Sequence, residues 1–162
     1  TLSDLASLCD AFYIGGTKCG ALFGEALIVP DKNRLLHFVT TIKQHGALLA
    51  KGRLLGIQFE TLFEDGLYFR IAGNAIRAAK KIRAFLDAHG FRQYFASPTN
   101  QIFIVIKNED YDRLSGKIGF SFWEKADAEH TVARLATSWA TTDEQVEKLL
   151  AVLSDYSPCG KS

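Results

Sequence analysis

Apolar residues recur along this chain in two rhythms, and the changes of rhythm mark out its elements. Leu2, Leu5, Ala6 and Leu8 fall at a helical period and predict a short helix end over Thr1–Cys9. Ala11–Ile14 and Ala21–Val29 are dense in β-branched and aromatic residues and are broken by glycines, which predicts two strands. Between them lies a glycine-rich turn, where Gly15, Gly16 and Gly20 are expected to supply positive φ and a close backbone approach. Pro30-Asp31 ends the second strand, and Asp31 or Asn33 is placed to cap a helix from Arg34 to Lys51. Leu35, Phe38, Val39, Ile42, Gly46 and Leu49 form one helical stripe there, expected to be buried. Glycine inside a helix costs about 1 kcal/mol against alanine, so Gly46 implies tight packing or a ligand. Leu54–Phe63 reads first as a buried helix and second as a strand, and Asp65-Gly66 as a turn and domain boundary.

From Leu67 onward the expected order is helix, strand, strand, helix, strand, strand, helix. Ala75, Ala78, Ala79, Ile82, Phe85 and Leu86 give the helix Asn74–His89 its apolar face, and Gly90 ends it. Phe91–Ala96 and Gln101–Ile106 are read as strands joined by Ser97–Asn100; the second lacks polar alternation and should be buried on both faces. Asn108 is placed to cap a helix over Glu109–Ser115, and Phe120–Lys125 and Thr131–Ser138 are two more strands. Thr142 with Gln145 makes a capping box for a last helix burying Val146, Leu149, Leu150 and Leu153, followed by a loose tail from Ser157. The result is a compact α/β module, a small sheet covered by helices on one side.

Composition narrows the class. A chain of 162 residues accommodates one domain or parts of two. A net charge of +1 offers no field for nucleic acid or an acidic membrane surface. The stripe Arg77, Lys80, Lys81 and Arg83 therefore reads as a solvated helix face rather than a nucleic-acid contact. No apolar run approaches the roughly 20 residues of a membrane span, and no export pattern opens the chain. Three cysteines without C-x-x-C spacing, and four scattered histidines, argue against a disulfide framework and a metal site. A reducing, cytoplasmic compartment is the default expectation. The chain contains no methionine and opens at Thr1 in what reads as mid-helix, which predicts a part of a longer protein.

Lys18 is the first candidate for chemistry. It projects from the glycine-rich turn beside Thr17, either as a solvated lysine or as an amine that forms a Schiff base with a carbonyl. A phosphate loop is excluded, because the hydroxyl residue precedes the lysine and the following run is strand-like. Arg134 is the second. It shares a strand face with Val132 and Ala136, where a guanidinium needs an anion, either a ligand carboxylate or a structural Asp or Glu. Lys43, on the Arg34–Lys51 helix, is third, and alone would be solvated; Cys19 adjoins Lys18. A Schiff-base lysine, a carboxylate-binding arginine and a further cation suit one chemistry together. In that chemistry pyridoxal phosphate would be held on the lysine and an amino acid would be bound by its carboxylate.

FYIGGTKCGALFGEALIV resembles the cofactor-lysine segment of the low-specificity L-threonine aldolase family. IKQHGALLAKGRLLGIQFETLF, SPTNQIF and RLATSWAT resemble three further segments of that family, in order, so that the likeness runs from about Asp10 to Asp155. The resemblance implies that Lys18 carries pyridoxal 5'-phosphate and that Arg134 binds the substrate carboxylate. Lys43 falls where related aldolases have an arginine that reaches the cofactor phosphate, partly across a subunit interface; lysine keeps the charge and loses the fork. Thr17 stands where many relatives have serine and is placed to donate to the phosphate. Cys19 is assigned no role.

The fold so implied is the C-terminal portion of the aspartate-aminotransferase-like (fold type I) α/β architecture. Residues 1–65 would complete the large cofactor-binding domain and 66–162 would form the small domain. The implied activity is cleavage of L-threonine or L-allo-threonine to glycine and acetaldehyde by a cytoplasmic homotetramer, a dimer of dimers with sites shared between subunits. The family's N-terminal half supplies the phosphate loop, the ring-stacking histidine and the aspartate facing the pyridine nitrogen. None is found in this chain, which alone is expected to be inactive. Two alternatives stay open: another pyridoxal-phosphate lyase acting on a β-hydroxy or β-substituted amino acid, and a non-catalytic α/β interaction module with Lys18 solvated.

Overall fold

In the computed structural model, which describes residues 1–156, the chain divides into two compact units, Thr1–Arg70 and a second from Ile71 onward. The expected loose tail and Cys159 lie outside the described residues. The first unit opens with helix α1 (Leu2–Leu8). Thr1 is its N-cap, closing a capping box with Asp4. Strands β1 (Phe12–Gly15) and β2 (Glu25–Ile28) then pair antiparallel, with Phe12 opposite Ile28 and Gly15 opposite Glu25.

The expected Arg34–Lys51 helix is only α2 (Phe38–Gln44). Left-handed backbone at His37 (φ 56°), Gly46 (φ 65°) and Lys51 (φ 62°) interrupts it. Its apolar stripe is not buried either: Leu35, Phe38, Val39 and Leu49 are all exposed. A seven-residue helix with no covered face has little to offset the cost of nucleation. Gly46 does not answer to packing, since a Cβ there would meet nothing within 4 Å; its positive φ is what calls for glycine.

Leu54–Phe63 is a helix, α3 (Arg53–Phe63), but only Leu62 on it is buried. A 3-10 turn at Glu64–Gly66 leads into helix α4 (Leu67–Ala88), whose residues up to Arg70 count with the first unit. This helix starts seven residues before the expected Asn74. It ends as expected, in a Schellman motif: Gly90 (φ 71°) donates to the Asp87 carbonyl at 3.2 Å and Phe91 to that of Leu86 at 2.8 Å.

The second unit is built on three strands. β3 (Gln101–Lys107) and β4 (Ser121–Lys125) flank the central β5 (His130–Ala136), both antiparallel, with helix α5 (Asn108–Ser115) between β3 and β4 in the chain. Phe91–Ala96 is not a strand. Phe91 is anchored in the core and only Gln93 comes into register, as a single bridge to Ile104. Nor does Asn108 cap α5. Its amide reaches the Ala128 carbonyl (2.9 Å) while its oxygen accepts from Thr131 (2.7 Å) and Lys125 (2.8 Å), tying down the β4–β5 turn.

Helix α6 (Asp143–Ser154) carries the Thr142–Gln145 capping box and closes the core with Val146 and Leu153. Ile102, Ile104, Ile106, Ala133 and Leu135 pack from one sheet face against Ala78, Ala79, Ile82 and Leu86 of α4. The basic face of α4 is turned on α6, Arg77 meeting Asp143 at 2.7 Å and Lys81 meeting Glu147. After β5 the chain is tied back to α4, because Thr137 donates to the Ala75 carbonyl (2.7 Å) and Asn74 to those of Trp139 and Thr141 (2.9 Å each).

Ile104→Ala, at a side chain 1 % exposed, is expected to lower unfolding stability by about 2–5 kcal/mol. Thr142→Ala should cost about 1 kcal/mol through the lost cap. Urea unfolding checks the order, and equal losses would contradict this account of the core.

Candidate active site

Lys18 sits on a single turn of 3-10 helix, Thr17–Cys19, inside a connection that runs from Gly16 to Gly24. The sequence pattern suggested a tight hairpin turn, but Ala21–Gly24 is not strand and the loop is long. Three residues per turn place Cys19 inward and leave Thr17 and Lys18 exposed. Of the three glycines expected at positive φ, Gly20 alone takes it (φ 100°); Gly15 ends β1 and Gly16 has φ −107°. Gly16 answers to space instead, since a Cβ there would stand 2.6 Å from the Ala21 Cβ and 3.0 Å from the Phe59 ring.

Side chains distant in sequence hold this loop. Gln58 on α3 accepts from the Leu22 amide at 2.8 Å and donates to the Phe23 carbonyl at 3.4 Å. Tyr68, stacked on Phe63 with centroids 5.0 Å apart, donates its hydroxyl to the Gly15 carbonyl at 2.8 Å. Burial, and secondarily the Cys19 thiol, push the Tyr68 hydroxyl up to about 12. Among the described residues no hydrogen bond or ion pair engages the side chain of Lys18, so the amine is uncommitted on a braced turn. Thr17 shares that turn. Lys43 lies elsewhere in the same unit, exposed in the last turn of α2, also without an ion pair among the described residues.

Arg134 belongs to the second unit. It is half-buried at the centre of β5, opposite Phe103 on one side and Ser121 on the other. Its face of the sheet is the one away from the α4 core, shared with Phe103, Val105 and Val132. Nε donates to Ser121 Oγ at 3.0 Å and Nη1 to Gln101 Oε1 at 3.3 Å, while the guanidinium carbon stands 5.7 Å from the Trp123 ring centroid. Trp123 occupies a bulge, the register to β5 shifting between Phe122 and Glu124. Among the described residues no carboxylate pairs with Arg134, so the structural salt bridge weighed from sequence is not formed there.

Gln58, Phe59 and Tyr68 around the lysine, and Gln101, Ser121 and Trp123 around the arginine, were missed by sequence reading. Tyr68 and Gln58 have no local pattern that marks them. Ser121 is two residues before a tryptophan on a strand, which places both on one face, and that signal was available.

An α/β chain with this lysine turn and this three-stranded module has the fold of the C-terminal portion of the aspartate-aminotransferase-like, fold type I architecture. It is similar to proteins named threonine aldolase. Two curated proteins, each named low specificity L-threonine aldolase, are 29% and 28% identical to it, one from Pseudomonas sp. (strain NCIMB 10558) and one from Pseudomonas aeruginosa. The matches take in 88% and 86% of this chain and 40% of each relative. The solved structure of a Leishmania major threonine aldolase is 39% identical with a TM-score of 0.89, over 96% of this chain and 45% of that one. No family model matches. The chain thus spans less than half the length of the relatives it matches, and the likeness read from its motifs is the one these comparisons return. Among the described residues no helix is long and apolar enough to cross a membrane.

The Tyr68 hydroxyl generates a pH test. Unfolded, the group ionises near 10; folded, it keeps its proton to about 12, so the unfolded state loses its proton first and stability falls as pH rises across that interval. Tyr68→Phe is expected to remove this part of the alkaline loss, read from urea midpoints at about pH 9 and about pH 11. Equal losses in the two proteins over the interval would refute the assignment.

Proposed function

We propose that this chain is the C-terminal part of a pyridoxal-phosphate-dependent aldehyde lyase that cleaves L-threonine or L-allo-threonine to glycine and acetaldehyde. The observation that carries the reading is the braced turn. It presents an exposed, uncommitted Lys18 amine from a loop pinned by Gln58 and Tyr68, in a chain 39% identical to a solved threonine aldolase. The residues present suit the cofactor. A primary amine stands free to condense with its aldehyde, and a neighbouring hydroxyl and a further exposed cation suit its phosphate.

In this reading Lys18 Nζ holds the cofactor covalently, and Thr17 Oγ donates to the phosphate. Lys43 supplies charge to it as a point cation, without the bidentate grip of an arginine. Pyridoxal phosphate, when bound, supplies the π-system that takes up the electron pair of the broken Cα–Cβ bond. Arg134 holds the substrate carboxylate through paired N–H donors, which fixes rotation about Cα and so selects the bond to be broken. The β-hydroxyl gives up its proton as cleavage begins, and no residue of this chain is assigned to receive it. The whole protein would act in the cytoplasm as a homotetramer, a dimer of dimers sharing sites between subunits, with a small amino acid as substrate. The large domain would end near residue 65, and the small domain would follow. The chain alone, without the rest of the site, would be inactive.

Borohydride reduction of the full-length holoprotein followed by peptide mapping is expected to place the label on Lys18, and Lys18→Ala should abolish the visible cofactor band. Label on another lysine would overturn the assignment. Arg134→Gln is expected to raise the KM for L-threonine by about a hundredfold, as loss of a charge-assisted bidentate contact implies. Unchanged KM would remove Arg134 from the site.

A further inference from the structure

Given the reading of Arg134 as the ligand of the substrate carboxylate, on which this rests, we infer that Ser121, Gln101 and Trp123 position its guanidinium so that only the Nη1–Nη2 edge is left for the carboxylate. A guanidinium has five N–H donors in one plane, and a carboxylate can meet two of them in parallel along either of two edges. One edge is formed by Nε and Nη2, the other by Nη1 and Nη2. The Nε–H is committed to Ser121 Oγ at 3.0 Å, so binding along the first edge would have to displace that bond. One Nη1–H goes to Gln101 Oε1 at 3.3 Å, which leaves the second Nη1–H and both Nη2 donors for an anion.

The aromatic neighbours fix the remaining freedom. Trp123 lies 5.7 Å from the guanidinium carbon, within the range of a cation–π contact. Its ring is held edge-on by Phe103, centroids 4.9 Å apart, and Phe103 in turn packs on Phe95 at 4.4 Å. The β4 bulge places Trp123 where this wall needs it. Rotation of the planar group out of register would give up the Trp123 contact and both hydrogen bonds.

The chemistry of the partners matters as much as their positions. Serine and glutamine orient the cation without neutralising it. A carboxylate at either position would satisfy the arginine permanently and compete with the substrate. The three are positioning residues, acting through Arg134.

The test uses the full-length holoprotein, with glycine as a non-cleaved amino-acid probe and ethylamine as a probe lacking the carboxylate. Ser121→Ala and Trp123→Leu are each expected to raise the glycine Kd about tenfold, as loss of one net contact implies, with kcat for L-threonine changed less than about threefold. Trp123→Phe, which keeps a ring, should restore most of the affinity. Gln101→Glu should weaken glycine about a hundredfold, and ethylamine binding should not weaken in any of the four. Independently of activity, the Arg134 Nε–H should exchange with water at least about tenfold faster in Ser121→Ala, read by nitrogen-15 NMR. Glycine affinity within about twofold of the parent in both Ser121→Ala and Trp123→Leu, with Arg134→Gln still disabling, would overturn the cradle and leave Arg134 in place. Unchanged glycine affinity in Arg134→Gln would overturn the reading beneath it. If Trp123→Leu fails to fold, Ser121→Ala and the exchange rate decide alone.

Discussion

The antiparallel ladder between β3 and β5 is the constraint on which the second unit depends. It runs from Gln101 opposite Ala136 to Lys107 opposite His130, and by making β5 central it sorts every side chain of two strands onto two faces. Ile102, Ile104, Ile106, Ala133 and Leu135 go to the helices; Phe103, Val105, Val132 and Arg134 go to the other side. A slip of one residue would exchange the faces and drive Arg134 into an apolar core, where an unpaired guanidinium costs several kcal/mol. The core and the arginine site are therefore one decision, taken by the register.

In the first unit the equivalent role falls to contacts on a loop. Few of its apolar side chains are buried, chiefly Ile14, Cys19, Ala21 and Leu62. The lysine turn keeps its shape through Gln58, Phe59 and Tyr68, each answering a specific need: an unpaired loop amide and carbonyl, the space beside Gly16, and the Gly15 carbonyl. These loop groups are exposed, and side chains rather than a ladder pair them. A longer connection than a hairpin turn is workable because its backbone is satisfied from outside.

The basic face of α4 shows how charge is read differently at the two levels. In sequence it is a stripe of four cations that needs an explanation. In the fold, Arg77 and Lys81 meet Asp143 and Glu147 of α6, and Arg83 reaches the Thr99 carbonyl at 2.9 Å. Exposed pairs of this kind contribute about 0–1 kcal/mol each, so they guide how α6 lies on α4 more than they hold it there.

Local chemistry was legible wherever one short segment suffices to determine it. The capping box at Thr142, the glycine end of α4, the doubly buried β3, and the motifs around Lys18 and Arg134 all follow from residues within a few positions of each other. Their physical causes are equally local: a cap, a positive φ, a hydrophobic run. What failed was decided by distant partners. The stripe on Arg34–Lys51 had the right period, yet among the described residues Leu35, Phe38, Val39 and Leu49 stay exposed and the helix is seven residues long. Phe91–Ala96 had strand composition but only one residue in register. Asn108 looked like a cap and became a clamp on the β4–β5 turn. The sequence by itself singled out Lys18 and Arg134 as candidates and marked most of the elements that carry them. Only the tertiary structure decided how the Lys18 turn is braced and which edge of Arg134 stays free, because those depend on hydrogen bonds and packing between residues far apart along the chain.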